Sequence, residues 1–374
     1  MATEKNLKYR ENDIRWTLAK LNAGNSCSLV GVGSVGKSNL IRHLLTEEVR
    51  KVYLSPVESQ ALQFIYIDPN NMLEALPAAT STGANHVVAG KESPSGWAGY
   101  EILTHRLYRH FHRYFKQMPA SVSAEFSDVY QELLDGTNPL AAHIALRHFE
   151  YCLDLMIDQG ARIVFLLDEF DALLAELPIR FFRTLRGVRD DHKYNVMYVT
   201  VTRKSLTDLI VEHNYDYDGL ESFVELFSDN THFVGAFSQD DARDMAQQLS
   251  GRLNVSISPA FQLQLVRITG GHAGLLRAAF GAISDLGEGL SDDEVTDRLI
   301  RQRAIQAECN TIWLSLNPRE QAVLQSLVST RPEPVDPHTV EVRSLAEKQL
   351  ILPQSEWLVV APHVFRGYLR VRPA

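Results

Sequence analysis

The sequence predicts an α/β fold: a parallel sheet flanked by helices, then an all-helical unit and a small module of helices and a hairpin. Three observations carry that prediction. A glycine-bearing turn, Gly31 to Gly36, lies between the apolar run "CSLV" and the helix-patterned "SNLIRHLL". A second apolar run, Ile163 to Leu167, ends in Asp168-Glu169 and reads as a strand buried on both faces. "FIYIDPN" and "THFVGAF" read as further core strands, and beyond about Phe237 the text becomes helical.

Bulk composition sets the bounds. A chain of 374 residues supports two or three compact units. A formal charge of −9 excludes a global basic field of the histone kind and leaves a local basic patch open. Cys27, Cys152 and Cys309 are too few and too scattered for a disulfide framework or a zinc site, and they fit a reducing, cytoplasmic setting. "MATEKNLKYR" has no apolar core of a signal peptide, and no run reaches the length of a membrane span, so no membrane partner is expected.

From Gly31 the turn reads Gly-Val-Gly-Ser-Val-Gly-Lys-Ser, a fit to GxxxxGK[ST] in a strand–loop–helix setting. Glycines let the backbone turn tightly and aim several N–H groups at one point. The helix N-terminus adds its partial positive charge. Gly33, Ser34, Val35, Gly36, Lys37, Ser38 and Asn39 are therefore expected to hold phosphate. Lys37 would reach the β- and γ-phosphates, and the Ser38 hydroxyl would ligate Mg²⁺. Asp168-Glu169 after the apolar run resembles a Walker B motif of the type with a catalytic glutamate, in which Asp168 would hold the Mg²⁺ shell, mostly through water. Glu169 would polarise the attacking water as general base. No Asn-Lys-x-Asp segment for guanine follows a late strand, where the text is "VTVTRKSLTD", so ATP and ADP are the expected nucleotides.

Lys37 and Asp168 lie 131 positions apart, by subtraction. "NVMYVTVTR", Asn195 to Arg203, and "ITGGHAGLLRAAF", Ile268 to Phe280, follow them. This order resembles the STAND and Orc/Cdc6-like branches of the AAA+ ATPases, over residues from about 5 to 370. The resemblance implies a P-loop NTPase fold of the ASCE type that hydrolyses ATP. "LKYRENDI" is similar to the family's Gly-Arg-Glu segment that helps seat adenine; Tyr9 replaces the glycine, and Arg10 and Glu11 remain. Thr202 stands where the family places sensor 1, and Thr200 points to the same side of the strand. "GGHAGLLR" resembles the lid motif, with Ala273 where STAND proteins usually carry proline. His272 and Arg277 are its nucleotide-contact candidates. Gly274 to Arg277 also fits the Gly-x-x-Arg pattern of sensor 2, whose guanidinium could join two phosphate oxygens. Arg180, Arg183, Arg186 and Arg189 recur at spacing three along one helix. The resemblance makes Arg186 or Arg189 the candidate finger for a neighbouring subunit.

The expected organisation is an ATPase core over residues 1–237, a helical lid over 238–309 and a winged-helix-like domain over 310–374. Residues 77–97 read as a mobile loop. "EILTHRLYRHFHRYFKQM" reads as a helix with an apolar stripe through Leu103, Leu107, Phe111, Phe115 and Met118. Arg106, Arg109, Arg113 and Lys116 form its cationic face, suited to a phosphate backbone or an acidic partner. The span from Asn317 carries seven Lys/Arg against six Asp/Glu, a net of +1, which is weak for a duplex reader. The expected function is an ATP-driven switch that forms a homo-oligomer or engages a separate effector protein. A DNA-loading ATPase that puts the winged helix on DNA is the alternative.

Overall fold

The computed structural model describes residues 7–72, 96–134, 141–329, 335–354 and 357–372, with 141–143 as backbone only. Five apolar, β-branched-rich runs become strands: β1 Cys27–Val30, β2 Leu62–Ile67, β3 Arg162–Leu167, β4 Val196–Thr202 and β5 Thr231–Phe233. They form one sheet in the order β2-β3-β4-β1-β5, and every neighbouring pair is parallel. All residues of β1 and β4 are buried, because helices cover both faces.

Alternation along the strands divides the interior in two. Leu29, Val164, Leu166, Met197 and Val199 face a core shared with helices Glu11–Asn22 and Lys37–Leu44. Ile163, Phe165, Val196 and Tyr198 face a second core, built with helices Trp97–Phe111, Ala141–Ile157 and Ile179–Asp191. The first core continues into the helical unit through Leu265, Leu275, Leu276 and Ile312. The glycine-bearing loop after β1 therefore lies where sheet and helical unit share one interior.

The helical unit comprises Gln239–Leu253, Pro259–Thr269, Ala273–Gly281, Asp292–Leu299 and Arg303–Leu314. Ser238, Ser258 and Ser291 cap three of these helices by accepting the backbone N–H three residues on. The helix Arg303–Leu314 runs straight through the expected break at residue 310. Its inward positions Ile305, Cys309, Ile312 and Trp313 make one continuous apolar stripe. Helices Pro318–Val328 and Val340–Glu347 follow, then the antiparallel pair β6 Ile351–Gln354 and β7 Trp357–Val360, then helix His363–Val371.

Two expectations change. The long cationic helix is α-helical only to Phe111 and tightens into a 3₁₀ turn over His112–Gln117. Along Ile179–Asp191 the arginines do not share one solvated face. Arg189 is buried and donates to the Gly24 carbonyl at 3.2 Å, while Arg180 and Arg183 stay exposed. A spacing of three drifts around a 3.6-residue helix, which carries Arg189 toward the core. Residues 77–95 of the expected loop lie outside the described residues, and Gly96 and Trp97 open the helix Trp97–Phe111. Among the described residues, no helix is long and apolar enough to cross a membrane.

Candidate nucleotide site

The chain leaves β1 at Val30 and turns back at once. Gly31 passes so close to the chain after β5 that a Cβ there would lie 2.7 Å from the Val234 carbonyl oxygen. Ser34 at φ 58° and Gly36 at φ 107° take the left-handed conformation, and Gly36 opens the helix Lys37–Leu44. Beside the loop is a cavity of about 620 Å³. Gly33, Ser34, Gly36, Lys37, Ser38 and Asn39 line it from the loop, Asp168 and Glu169 from the end of β3, Thr202 from β4, and Arg277 from the helical unit. Val35 is buried in the core and does not line the cavity.

The Lys37 ammonium donates to the carbonyls of Gly31 and, at 3.1 Å, of Val32. Burial holds its pKa down to about 8, against the pull of Asp171 and Asp168. Asp168 is fixed from both sides: it accepts from the Tyr66 hydroxyl and from the Glu169 N–H, each at 3.0 Å. Glu169 has a left-handed backbone, φ 46°, and opens the next helix; Asn70 Nδ2 donates to its carboxylate at 3.4 Å. The Thr202 hydroxyl is buried and, among the described residues, has no partner. Thr200 is buried equally but does not line the cavity.

Other expected residues stand elsewhere. Arg10 is buried beneath the loop, donating to the carbonyls of Val35 at 2.6 Å and Gly235 at 3.1 Å and stacking 4.6 Å over Phe237. It braces the loop rather than lining the cavity. Its neighbour Tyr9 lines a second cavity of about 670 Å³ with His43, Phe237 and Met245; Asn39 and Met245 border both cavities. Arg186 lies outside both linings, bonded to Asp190 and to the Ser222 carbonyl at 2.7 Å each.

His272 is buried and caps Ala273–Gly281, its Nδ1 accepting from Leu275 N–H at 3.3 Å. Burial pushes its pKa down to about 3, although it faces the Gly33 carbonyl. A histidine held neutral in this way contributes stability that is full above its unfolded pKa of 6.5 and is lost as pH falls toward 3. At pH 5 the loss is about 2 kcal/mol. His272→Asn keeps a capping acceptor and cannot titrate. The difference in melting temperature between pH 7.5 and pH 5 is expected to shrink in this variant; an undiminished difference would place the acid sensitivity elsewhere.

Several site residues were missed from sequence. Asp171 adds a third carboxylate to the lining. Its pKa is raised by burial, and one of its oxygens is buried without a partner among the described residues. The "DEFD" spacing was the available signal. Arg203 brings a cation to the cavity at the end of β4. Ser315 and Glu308 gave no local signal. The Gly33 N–H donates to Ser315 Oγ at 2.8 Å, and the Thr311 methyl packs where a Gly33 Cβ would stand. Arg277 pairs with Glu308 at 2.9 Å, and the Gly274 N–H donates to the Ser34 carbonyl at 3.0 Å. The helix Arg303–Leu314 and its C-cap Ser315 thus hold a loop N–H and the guanidinium that the sequence assigns to phosphate. Combining Ser315→Ala with Glu308→Gln is expected to tighten binding of a fluorescent non-hydrolysable ATP analogue by about 5- to 30-fold, from a neutral hydrogen bond and a partly exposed ion pair. Unchanged or weaker binding would show that these contacts do not compete with nucleotide.

A five-stranded parallel sheet, with a glycine-rich loop after β1 and an acidic end to β3, defines the P-loop NTPase fold. Among solved structures the chain is similar to the Walker-type ATPase of Pyrococcus abyssi. That match is 14% identical with a TM-score of 0.53, covering 98% of this chain and 97% of the other. The chain is also similar to the ORC2 protein of Aeropyrum pernix, solved as ADPNP–ADP complexes, at 14% identity and TM-score 0.42, covering 96% and 90%. Cdc6p of Pyrobaculum aerophilum gives 11% identity and TM-score 0.39, covering 97% and 94%. No family model matches the chain, and no curated protein matches it.

Proposed function

We propose that this chain is an ATPase of the AAA+ kind that works as a nucleotide-controlled switch, forming oligomers or engaging a partner protein in its ATP state. One observation supports this best: Lys37, Ser38, Asp168, Glu169 and Thr202 from three strand ends meet Arg277 of the helical unit around one cavity. The loop's N–H groups and Lys37 bind the phosphates. Ser38 and Asp168 are hard oxygen donors suited to Mg²⁺, which when bound neutralises phosphate charge. Glu169 takes a proton from the attacking water, and the Thr202 hydroxyl is free to bond the γ-phosphate. The base fits beside Tyr9, Phe237 and Met245, in the cavity that adjoins the first at Asn39.

Switching follows from where Arg277 sits. One of its N–H groups is held by Glu308, so a γ-phosphate that draws the guanidinium inward pulls against the helix Arg303–Leu314. Light scattering on the wild type and Glu169→Gln, in ADP and in ATP–Mg²⁺, with and without duplex DNA, tests the reading. A defined mass increase with ATP alone supports self-assembly. An increase only with DNA present replaces the switch with the DNA-loading alternative. One unchanged mass throughout removes self-assembly.

A further inference from the structure

A second basin lies away from the nucleotide site, a groove of about 1220 Å³ along β2. Gln63, Phe64, Ile65 and Tyr66 all line it. Consecutive strand residues point to opposite faces, so four in a row can border one groove only if it runs along the strand's edge. β2 is the last strand of its sheet, and among the described residues nothing pairs with its outer side. Asp168 N–H donates to the Ile67 carbonyl, so Ile67 turns its backbone groups toward β3. By the two-residue period, Phe64 and Tyr66 turn theirs toward the groove.

One wall is strongly cationic: Trp97–Phe111 and the turn after it carry Arg106, Arg109 and Arg113. Across the strand, the helix Glu47–Tyr53 carries Lys51 and Arg50, whose guanidinium donates to the Leu44 and Leu45 carbonyls at 3.0 and 2.8 Å. Glu47 is the one carboxylate in the lining, and it is paired with Lys51. Arg106 Nε is buried without a partner among the described residues. This concentration of positive charge sits in a chain whose formal net charge is −9.

We propose that this groove docks an extended acidic segment of a partner protein as an added strand on β2. The open edge supplies main-chain donors and acceptors, a pattern that a peptide matches and a nucleic-acid backbone does not. Side chains of the added strand would point alternately to the two walls, and acidic residues on the parity facing Trp97–Phe111 meet Arg106, Arg109 and Arg113.

Fluorescence anisotropy on the full chain, with a labelled alternating Glu–Val peptide, tests this. Saturable binding is expected. Arg106→Glu combined with Arg109→Glu should weaken it about tenfold or more, since charge reversal replaces attraction with repulsion. N-methylating every second peptide nitrogen, at the parity that faces β2, should weaken it as much while leaving the charge intact. Retained fluorescent-ADP binding reports that the double variant is folded; Arg109→Ala, at an exposed position, gives the same comparison if it is not. Equal affinity for the methylated peptide would reduce the groove to a non-specific anion surface. Tighter binding of oligothymidylate would make it a nucleic-acid surface. No binding of the acidic peptide to the wild type would overturn the proposal outright.

Discussion

Glu169→Gln is expected to keep ATP bound and to lower its hydrolysis by about 10²- to 10⁴-fold, the range for loss of a positioned general base. Glutamine has the same shape and cannot accept the proton of the attacking water. The geometry favours Glu169 over its neighbours. Asp168 already accepts two hydrogen bonds, from Tyr66 and from the Glu169 N–H, and is held as a ligand would be. Glu169 takes a left-handed turn and lines the cavity, its carboxylate accepting only a long bond from Asn70 Nδ2 at 3.4 Å among the described residues. Asp171 is the rival, because it shares the lining and has an unpartnered oxygen. Phosphate release and retained ATP, measured on Glu169→Gln and Asp171→Asn side by side, separate the two. If Asp171→Asn alone abolished turnover, the base would be Asp171.

What could be read from sequence was local, and what could not was distant. Lys37, Ser38 and the acidic pair announce themselves because a phosphate loop is one strand, one turn and one helix start, all within a dozen residues. The parallel sheet follows from apolar runs separated by helices too long for hairpins. Arg10 has a motif around it, yet its place depends on Val35, Gly235 and Phe237, which only the fold brings together. Ser315 lies 282 positions from Gly33, and no pattern in either segment points to the other. A spacing of three does not hold four arginines on one helix face, and the fourth, Arg189, turns inward onto Gly24. The cationic face of Trp97–Phe111 was legible as charge. That it forms one wall of a groove on an open strand edge was not, because the other wall comes from Glu47–Tyr53.

The largest effect on stability is expected far from the glycine-bearing loop. Lys348 and Glu320 form an ion pair of 2.5 Å, with both side chains 1% exposed. Ser344 Oγ donates to the same carboxylate at 2.6 Å, and its other oxygen accepts from the Asn317 N–H at 3.1 Å. Lys348→Met leaves that carboxylate buried without its cation and is expected to cost about 3–5 kcal/mol, whereas Lys348→Met with Glu320→Gln should recover most of the loss. Urea unfolding of the two variants measures this; a single-variant cost below about 1 kcal/mol would mean that water or a shifted partner satisfies Glu320. The pair also bears on nucleotide. Glu320 caps the helix Pro318–Val328 through Asn317, and Asn317 Nδ2 donates to Asp208 of the sheet domain at 3.1 Å. Ser315, two residues before, is the group that holds the Gly33 N–H. Loosening this cap while the sheet stays folded should free Gly33, so Lys348→Met is expected to bind fluorescent ADP more tightly in mild urea, before global unfolding begins. Weaker binding under those conditions would show that the C-terminal helices support the phosphate loop rather than restrain it.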